Sequence, residues 1–98
     1  MSRYDFVASE EDVRNDFHLN LRFGDSEWKA VKYILDQLTD QENVFAPGAL
    51  DWFEIMVNEC APYMRGDNPK EAERLLGDIE SAIDVKRRYH RRVQVELQ

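Results

Sequence analysis

Between residues 17 and 23, apolar and polar side chains alternate one by one along the chain. The apolar set is Phe17, Leu19, Leu21 and Phe23, and the polar set is His18, Asn20 and Arg22. A period of two residues places the two sets on opposite faces of a β-strand. The sequence therefore predicts a half-buried strand over residues 17–23, with one apolar face and one face that can form hydrogen bonds.

The period changes to that of an α-helix directly after Gly24. The apolar residues that follow at helical spacing are Trp28, Val31, Ile34, Leu35 and Leu38. Asp25 or Ser26 can cap the N-terminus of this helix. We expect this first helix to end near Thr39, before the polar stretch 40–43.

A second helix is predicted to begin at Pro47, because proline is preorganised for a first helical turn. Its apolar face consists of Ala49, Trp52, Phe53, Met56, Val57, Cys60 and Ala61. Pro62 and the segment Arg65-Gly66-Asp67 predict its end. A third helix, capped by Asn68, is predicted to extend to about Arg92. Its apolar face consists of Ala72, Leu75, Leu76, Ile79 and Ile83.

At 98 residues the chain has the size of a single domain. We divide it into an N-terminal arm (1–16), a strand-helix-helix core (17–66) and a C-terminal helix with a tail (67–98). In the arm, a Ser-x-x-Asp cap predicts a helical turn over Ser9–Arg14. In the tail, apolar residues alternate over 93–97, which predicts a short strand or a frayed helix end.

A single strand leaves a row of backbone donors and acceptors unpaired, which is costly where protein covers them. Two arrangements would pair them. Residues 3–8 can form a hairpin with residues 17–23 of the same chain. Alternatively, the strands of two chains can pair antiparallel about a two-fold axis, which predicts an obligate homodimer.

The segment His18 to Phe23, with the sequence His-Leu-Asn-Leu-Arg-Phe, resembles the DNA-reading strand of the ribbon-helix-helix family of MetJ/Arc-type repressors. The resemblance covers about residues 17–64. It implies a mainly α fold with one short N-terminal strand and, in this chain, an additional C-terminal helix. It also implies a homodimeric, sequence-specific transcriptional regulator that places a two-stranded ribbon in the major groove of DNA.

The resemblance further implies which residues contact DNA. The strand residues that would reach base edges are His18, Asn20 and Arg22, of which arginine is the best guanine reader. At the start of helix two, the backbone amides of Gly48 and Ala49 would hold a phosphate, since Pro47 has no amide proton. The alternative is that the polar face of the strand is an ordinary solvated surface.

The chain is acidic as a whole but basic near its C-terminus. Twenty Asp and Glu against 13 Lys and Arg give a net charge of −7, which argues against binding nucleic acid by bulk electrostatics. The basic block contains Lys86, Arg87, Arg88, Arg91 and Arg92. Its four arginines are candidate contacts to DNA phosphates. The alternative is a solvated helix end that the helix dipole favours.

Acidic residues suggest a second function, the binding of another protein. The third helix has an acidic set made up of Glu71, Glu73, Asp78, Glu80 and Asp84. This set is either a solvated face or the site of a protein partner. In the second case the chain would be a small acidic interaction module or inhibitor, similar to phage-type inhibitors and DNA mimics.

The sequence gives no indication of catalysis. His18 and His90 are far apart in sequence and neither has the spacing of metal ligands. No phosphate loop, dinucleotide fingerprint or nucleophile elbow is present. The single cysteine, Cys60, is predicted to be a buried thiol on an apolar helix face. We therefore expect no enzyme, no metal, no cofactor and no membrane contact, and a cytoplasmic location.

Overall fold

A computed structural model describes the backbone of residues 7–97 and the side chains of residues 7–89. It contains four α-helices: α1 Glu10–Asn20, α2 Glu27–Thr39, α3 Pro47–Asp67 and α4 Pro69–Leu97. In this part of the chain the only β-type pairing is an isolated parallel bridge between Ala8 and Phe45. The prediction of a ribbon-helix-helix fold is therefore wrong, because that fold requires a strand where this chain forms α1.

A capping box at Ser9 begins α1. The Ser9 hydroxyl accepts a hydrogen bond from the Asp12 amide at 3.1 Å, and the Asp12 carboxylate accepts one from the Ser9 amide at 2.9 Å. The predicted turn over Ser9–Arg14 thus starts a helix that continues to Asn20 and crosses the expected boundary between arm and core. Val13 and Phe17 are buried four residues apart, and Leu21 is half-buried after a further four.

The four apolar residues of the predicted strand face separate in the helix. Phe17 is buried, whereas Leu19 is 82 % exposed and Phe23 is fully exposed. Successive residues of a helix are rotated by about 100°, so residues two apart point to nearly opposite sides. The core-facing period is therefore four residues, and Leu19 belongs to the surface. Phe23 lies beyond the end of α1 and is exposed in the following turn. The apolar face of the predicted strand thus joined buried Phe17 and half-buried Leu21 with exposed Leu19 and Phe23.

The remaining helices begin where their caps predict. The Ser26 hydroxyl accepts a hydrogen bond from the Lys29 amide at 3.2 Å, and α2 ends at Thr39 as expected. The N-terminus of α3 is at Pro47, and the side chain of Asn68 accepts a hydrogen bond from the Glu71 amide at the start of α4.

The end of α3 agrees with the predicted segment Arg65-Gly66-Asp67, but Pro62 does not stop the helix. α3 continues through Pro62 to Asp67, because Met64 beyond the proline is completely buried and fixes the last turn in the core. Proline removes one backbone hydrogen bond, and the burial of a large side chain can offset that loss. The backbone of α4 remains helical to Leu97, so the alternation over residues 93–97 is neither a strand nor a frayed end.

Helices α2, α3 and α4 form an up-down-up bundle. The Trp28 indole donates to the Asp67 carboxylate at 2.9 Å, which places the start of α2 beside the end of α3. Ion pairs join α3 to α4 near both ends of their hairpin, which shows that these two helices are antiparallel. α1 packs against α3, with the Phe17 and Trp52 rings edge to face at 5.3 Å.

The core lies between these helices and is formed by one chain. Its largest fully buried side chains are Phe53, Ile34, Leu50, Met64, Ile79 and Val31. Because no partner strand is needed to cover these residues, the structural reason for an obligate, strand-paired homodimer is absent.

Lys86 is the one buried charged residue among those described, with 8 % of its surface exposed. Its ammonium group donates to the backbone oxygens of Asp40 at 2.8 Å and Asn43 at 2.6 Å, and lies 5.8 Å from the centre of the Phe45 ring. The carbonyl of Asp40 is at the C-terminal end of α2, where a positive charge is favourable. Burial lowers the pKa of Lys86, and the carboxylate of Asp40 opposes this shift.

Lys86→Ala should lower the free energy of unfolding by about 2–3 kcal/mol, because it removes two charge-assisted hydrogen bonds and the packing of the lysine stem. Arg88→Ala is the matched control. Arg88 lies two residues further on and forms an exposed ion pair with Asp84 at 2.5 Å, which should contribute about 0.5 kcal/mol or less. Urea denaturation of both variants checks this prediction, and equal losses would contradict it.

Candidate functional site

The structure does not bring the three predicted base-contacting side chains onto one face. His18 and Asn20 lie in the last turn of α1, two residues apart, so they project in nearly opposite directions. The Asn20 side chain donates to the backbone oxygen of Asp16 at 2.7 Å and to the Tyr33 hydroxyl at 3.5 Å. Arg22 lies in the turn after α1 with its side chain exposed. The ribbon mechanism therefore has no strand from which these residues could act together.

The start of α3 is a poor match to the predicted phosphate site. Ala49 is completely buried, and its amide donates to the backbone oxygen of Ala46 at 3.0 Å. A Cβ atom built on Gly48 would lie 3.9 Å from the Cβ of Glu10. The first turn of α1, with its acidic side chains, thus lies beside this helix start, and negative charge there disfavours a phosphate.

Much of the predicted basic block pairs with the chain's own acceptors. Lys86 is buried against backbone oxygens, and Arg88 pairs with Asp84. Arg87 bridges to Asp51 at 3.0 Å and to Glu54 at 2.6 Å. Arg91 and Arg92 lie on the helical backbone of α4, and their side chains are outside the described residues. Arg87 and Arg88, which were predicted to contact DNA phosphates, thus form ion pairs with acidic residues of α3 and α4 instead.

A groove of about 720 Å³ lies between α3 and α4. Its floor is apolar and consists of Val57, Ala61, Leu76, Ile79 and Ile83. Its polar rim includes Glu54, Asn58, Glu80 and Asp84. Two of the acidic residues predicted on the C-terminal helix, Glu80 and Asp84, therefore lie in this groove.

Ion pairs between α3 and α4 close the two ends of the groove. At one end Arg65 pairs with Glu73 at 2.9 Å, and at the other Arg87 pairs with Asp51 and Glu54. Between these ends, Glu80 is exposed and has no ion-pair partner among the described residues. The Arg65 end is therefore neutralised, the Arg87 end keeps one net negative charge, and Glu80 adds an uncompensated carboxylate near the middle.

The interhelical ion pairs were not predicted, although the sequence contains a signal for them. Arg65 and Glu73 are each four residues from Pro69, and Asp51 and Arg87 are each 18 residues from it. In an antiparallel helical hairpin, positions equidistant from the turn lie beside each other. Opposite charges at such positions indicate which faces of two helices meet.

The rim of the groove is polar, and most of its apolar floor is buried. Val57, Ile79 and Ile83 are each less than 8 % exposed, and Leu76 is half-buried, so the floor offers little apolar area to a ligand. Among the residues the structure describes, no group of three or more His, Cys, Asp or Glu side chains is placed to hold a metal ion.

Cys60 is buried, as predicted, in the core and not in the groove. Burial, with Glu27 and Glu59 nearby, raises the pKa of its thiol, so the nucleophilic thiolate is disfavoured. This placement is that of a small core side chain.

Within the described part of the chain, no helix combines the length and apolarity needed to span a membrane. Comparisons with protein-family models, curated proteins and solved structures found no significant match to this chain.

Proposed function

We propose that this chain is a small acidic interaction module that binds a positively charged segment of another protein in the groove between α3 and α4. The observation that supports this proposal is the position of Glu80. Its carboxylate is uncompensated, lies between two ion-paired ends and stands above an apolar floor.

A lysine or arginine side chain of the partner fits this arrangement. Its aliphatic stem would lie over the floor at Ile79 and Ile83, while its charged group would bond to Glu80. Asp84, one helical turn from Glu80, already pairs with Arg88. The acids at the ends of the groove already have arginine partners, so Glu80 at the centre is the preferred position for the cationic group. Recognition would then depend mainly on charge and hydrogen bonds, since the floor offers little apolar surface.

The charge of the whole molecule favours the same class of partner. The described side chains include 18 Asp and Glu but only ten Lys and Arg. Such an excess attracts a cationic partner at long range and repels the phosphate backbone of nucleic acid. Sequence-specific DNA binding stays a prediction from the sequence, without the ribbon through which it was expected to act.

The test uses a synthetic peptide with a central Lys-Arg pair and a matched peptide with Gln-Gln at those positions. Titration of each peptide into the isotope-labelled protein, followed by NMR, measures affinity and locates the contact. The cationic peptide should shift the amide signals around Ile79 to Asp84 and bind at least about tenfold more tightly than the neutral one. Its affinity should fall as salt is added.

Two double variants, each lacking two carboxylates, distinguish binding in the groove from a general effect of net charge. Glu80→Gln with Asp84→Gln should weaken the cationic peptide about tenfold or more. Asp36→Gln with Glu42→Gln removes two exposed acids from α2 and the loop after it, and should have little effect. Equal weakening by both variants, or signal changes confined to other surfaces, would contradict the proposed site. Selection of a preferred sequence from random DNA by the wild type would favour the DNA-binding alternative.

A further inference from the structure

Two of the ion pairs that join α3 to α4 are placed symmetrically about the middle of the groove. Arg65 pairs with Glu73 at 2.9 Å, and Asp51 pairs with Arg87 at 3.0 Å. We call these the outer pairs; they are 14 residues apart on each helix, which corresponds to about 21 Å along the helix axis. Seven residues make almost two full helical turns, so the position halfway between the outer pairs on each helix faces the groove in the same way.

Asn58 of α3 and Glu80 of α4 occupy these halfway positions, and we call them the middle pair. Both residues are exposed and both line the groove. In each outer pair an arginine of one helix meets a carboxylate of the other. In the middle pair a carboxylate lies opposite a neutral amide, and neither side chain has a hydrogen-bond or ion-pair partner among the described residues. The middle pair therefore lacks the cation that its two neighbours contain.

We infer that the middle pair binds one arginine side chain of the partner, with its guanidinium group bonded to both Glu80 and Asn58. The assignment rests on the proposed function, since it specifies which cation the groove selects. A guanidinium group has five N–H donors in a planar fork, so two can bond to the Glu80 carboxylate while another bonds to the Asn58 amide oxygen. A lysine ammonium has its three donors on one atom and cannot form the parallel pair of bonds to a carboxylate.

The outer pairs show that a guanidinium group fits between these two helices. Arg87 contacts the carboxylates of Asp51 at 3.0 Å and Glu54 at 2.6 Å, so one guanidinium group serves two acceptors across the groove. Arg65 and Arg87 are the only cations among the described residues that line the groove. Each lies about 10 Å from the middle pair along the helix axis and is already bonded to a carboxylate. The cation for the middle pair therefore comes from another molecule.

Three peptides that differ at one central residue test this selectivity. The residue is arginine, lysine or citrulline, which has nearly the shape of arginine without its charge. Titration into the isotope-labelled protein, followed by NMR, measures each affinity. The arginine peptide should bind about fivefold more tightly than the lysine peptide, and the citrulline peptide should bind most weakly because it is neutral. The largest signal changes should lie around Asn58 and Glu80.

Asn58→Leu removes the amide acceptor and keeps the Glu80 carboxylate. The preference for arginine over lysine should fall to about twofold or less, while the lysine peptide keeps its affinity. Equal affinities of the two peptides for the wild type would overturn the arginine site but not the proposed function. A preference that is unchanged in Asn58→Leu would overturn it too. Failure of both peptides to bind the wild type would overturn the proposed function itself.

Asn58→Arg supplies the missing cation from α3 itself, because the new guanidinium group lies opposite Glu80. The arginine peptide should then bind at least about tenfold more weakly. Asn15→Arg is the matched control, since it adds the same charge at an exposed position of α1 that does not line the groove. Its affinity should stay within about twofold of the wild type, and circular dichroism should show that both variants keep their helical content. Equal weakening by both variants would mean that net charge alone controls binding, and would overturn the assignment of the middle pair.

Discussion

Phe17→Ala should lower the free energy of unfolding by about 3–4 kcal/mol, whereas Leu19→Ala should lower it by about 0.5 kcal/mol or less. The Phe17 ring is 8 % exposed and meets the Trp52 and Tyr33 rings edge to face at 5.3 and 5.9 Å. Its removal leaves a cavity between α1, α2 and α3. Leu19 is 82 % exposed, so its truncation removes few contacts within the chain.

This pair of variants also discriminates between the two secondary structures considered for residues 17–23. In a strand, both side chains would lie on the same buried face and both truncations would be costly. Urea denaturation of both variants measures these losses. Similar losses for the two variants would favour the strand, and the helix α1 would then be assigned wrongly.

Local signals in the sequence predicted the helix starts well. Ser26, Pro47 and Asn68 all lie at helix starts in the structure, because a cap or a proline acts on the backbone within one turn. The long apolar faces of α2 and α3 are buried largely as expected. Caps and helical periodicity depend only on residues close together in sequence, so one sequence is enough to predict them.

The strand prediction failed because two helical patterns overlap in one short segment. Phe17 and Leu21 continue the core-facing row that begins at Val13, while Leu19 lies between them on the surface and Phe23 lies in the exposed turn after α1. Together they imitate a period of two. The capping box at Ser9 was a signal for the helix, but its extent depends on the contact of Phe17 with Trp52, which is distant in sequence.

The candidate groove could be predicted only in part. The sequence indicated an acidic set on the C-terminal helix, and Glu80 and Asp84 of that set line the groove. Opposite charges at positions equidistant from Pro69 indicate the partners of Arg65 and Arg87, but this signal can be used only once the register of the α3–α4 hairpin is known. The burial of Lys86 was missed for the same reason: its acceptors, at Asp40 and Asn43, are more than 40 residues away.

Phe53→Ala should have the largest effect of the substitutions considered, a loss of about 3–5 kcal/mol in the free energy of unfolding. Phe53 is 1 % exposed, with its ring 5.4 Å from that of Phe45 and 5.8 Å from that of Trp52. It therefore links α3 to the loop between α2 and α3, whose backbone oxygens at residues 40 and 43 accept hydrogen bonds from Lys86. For a domain of this size the total stability is about 5–15 kcal/mol, so the variant should unfold at a much lower temperature.

Ile55→Ala is the matched control for Phe53→Ala. Ile55 lies two residues further along α3 and is 54 % exposed, so its truncation should cost about 1 kcal/mol or less. Thermal and urea denaturation of both variants should give well-separated midpoints. The dependence of stability on urea should stay close to that of the wild type, because both variants expose the same chain on unfolding. A loss below about 1 kcal/mol for Phe53→Ala would show that the core does not close around this ring and that the face of α3 is assigned wrongly.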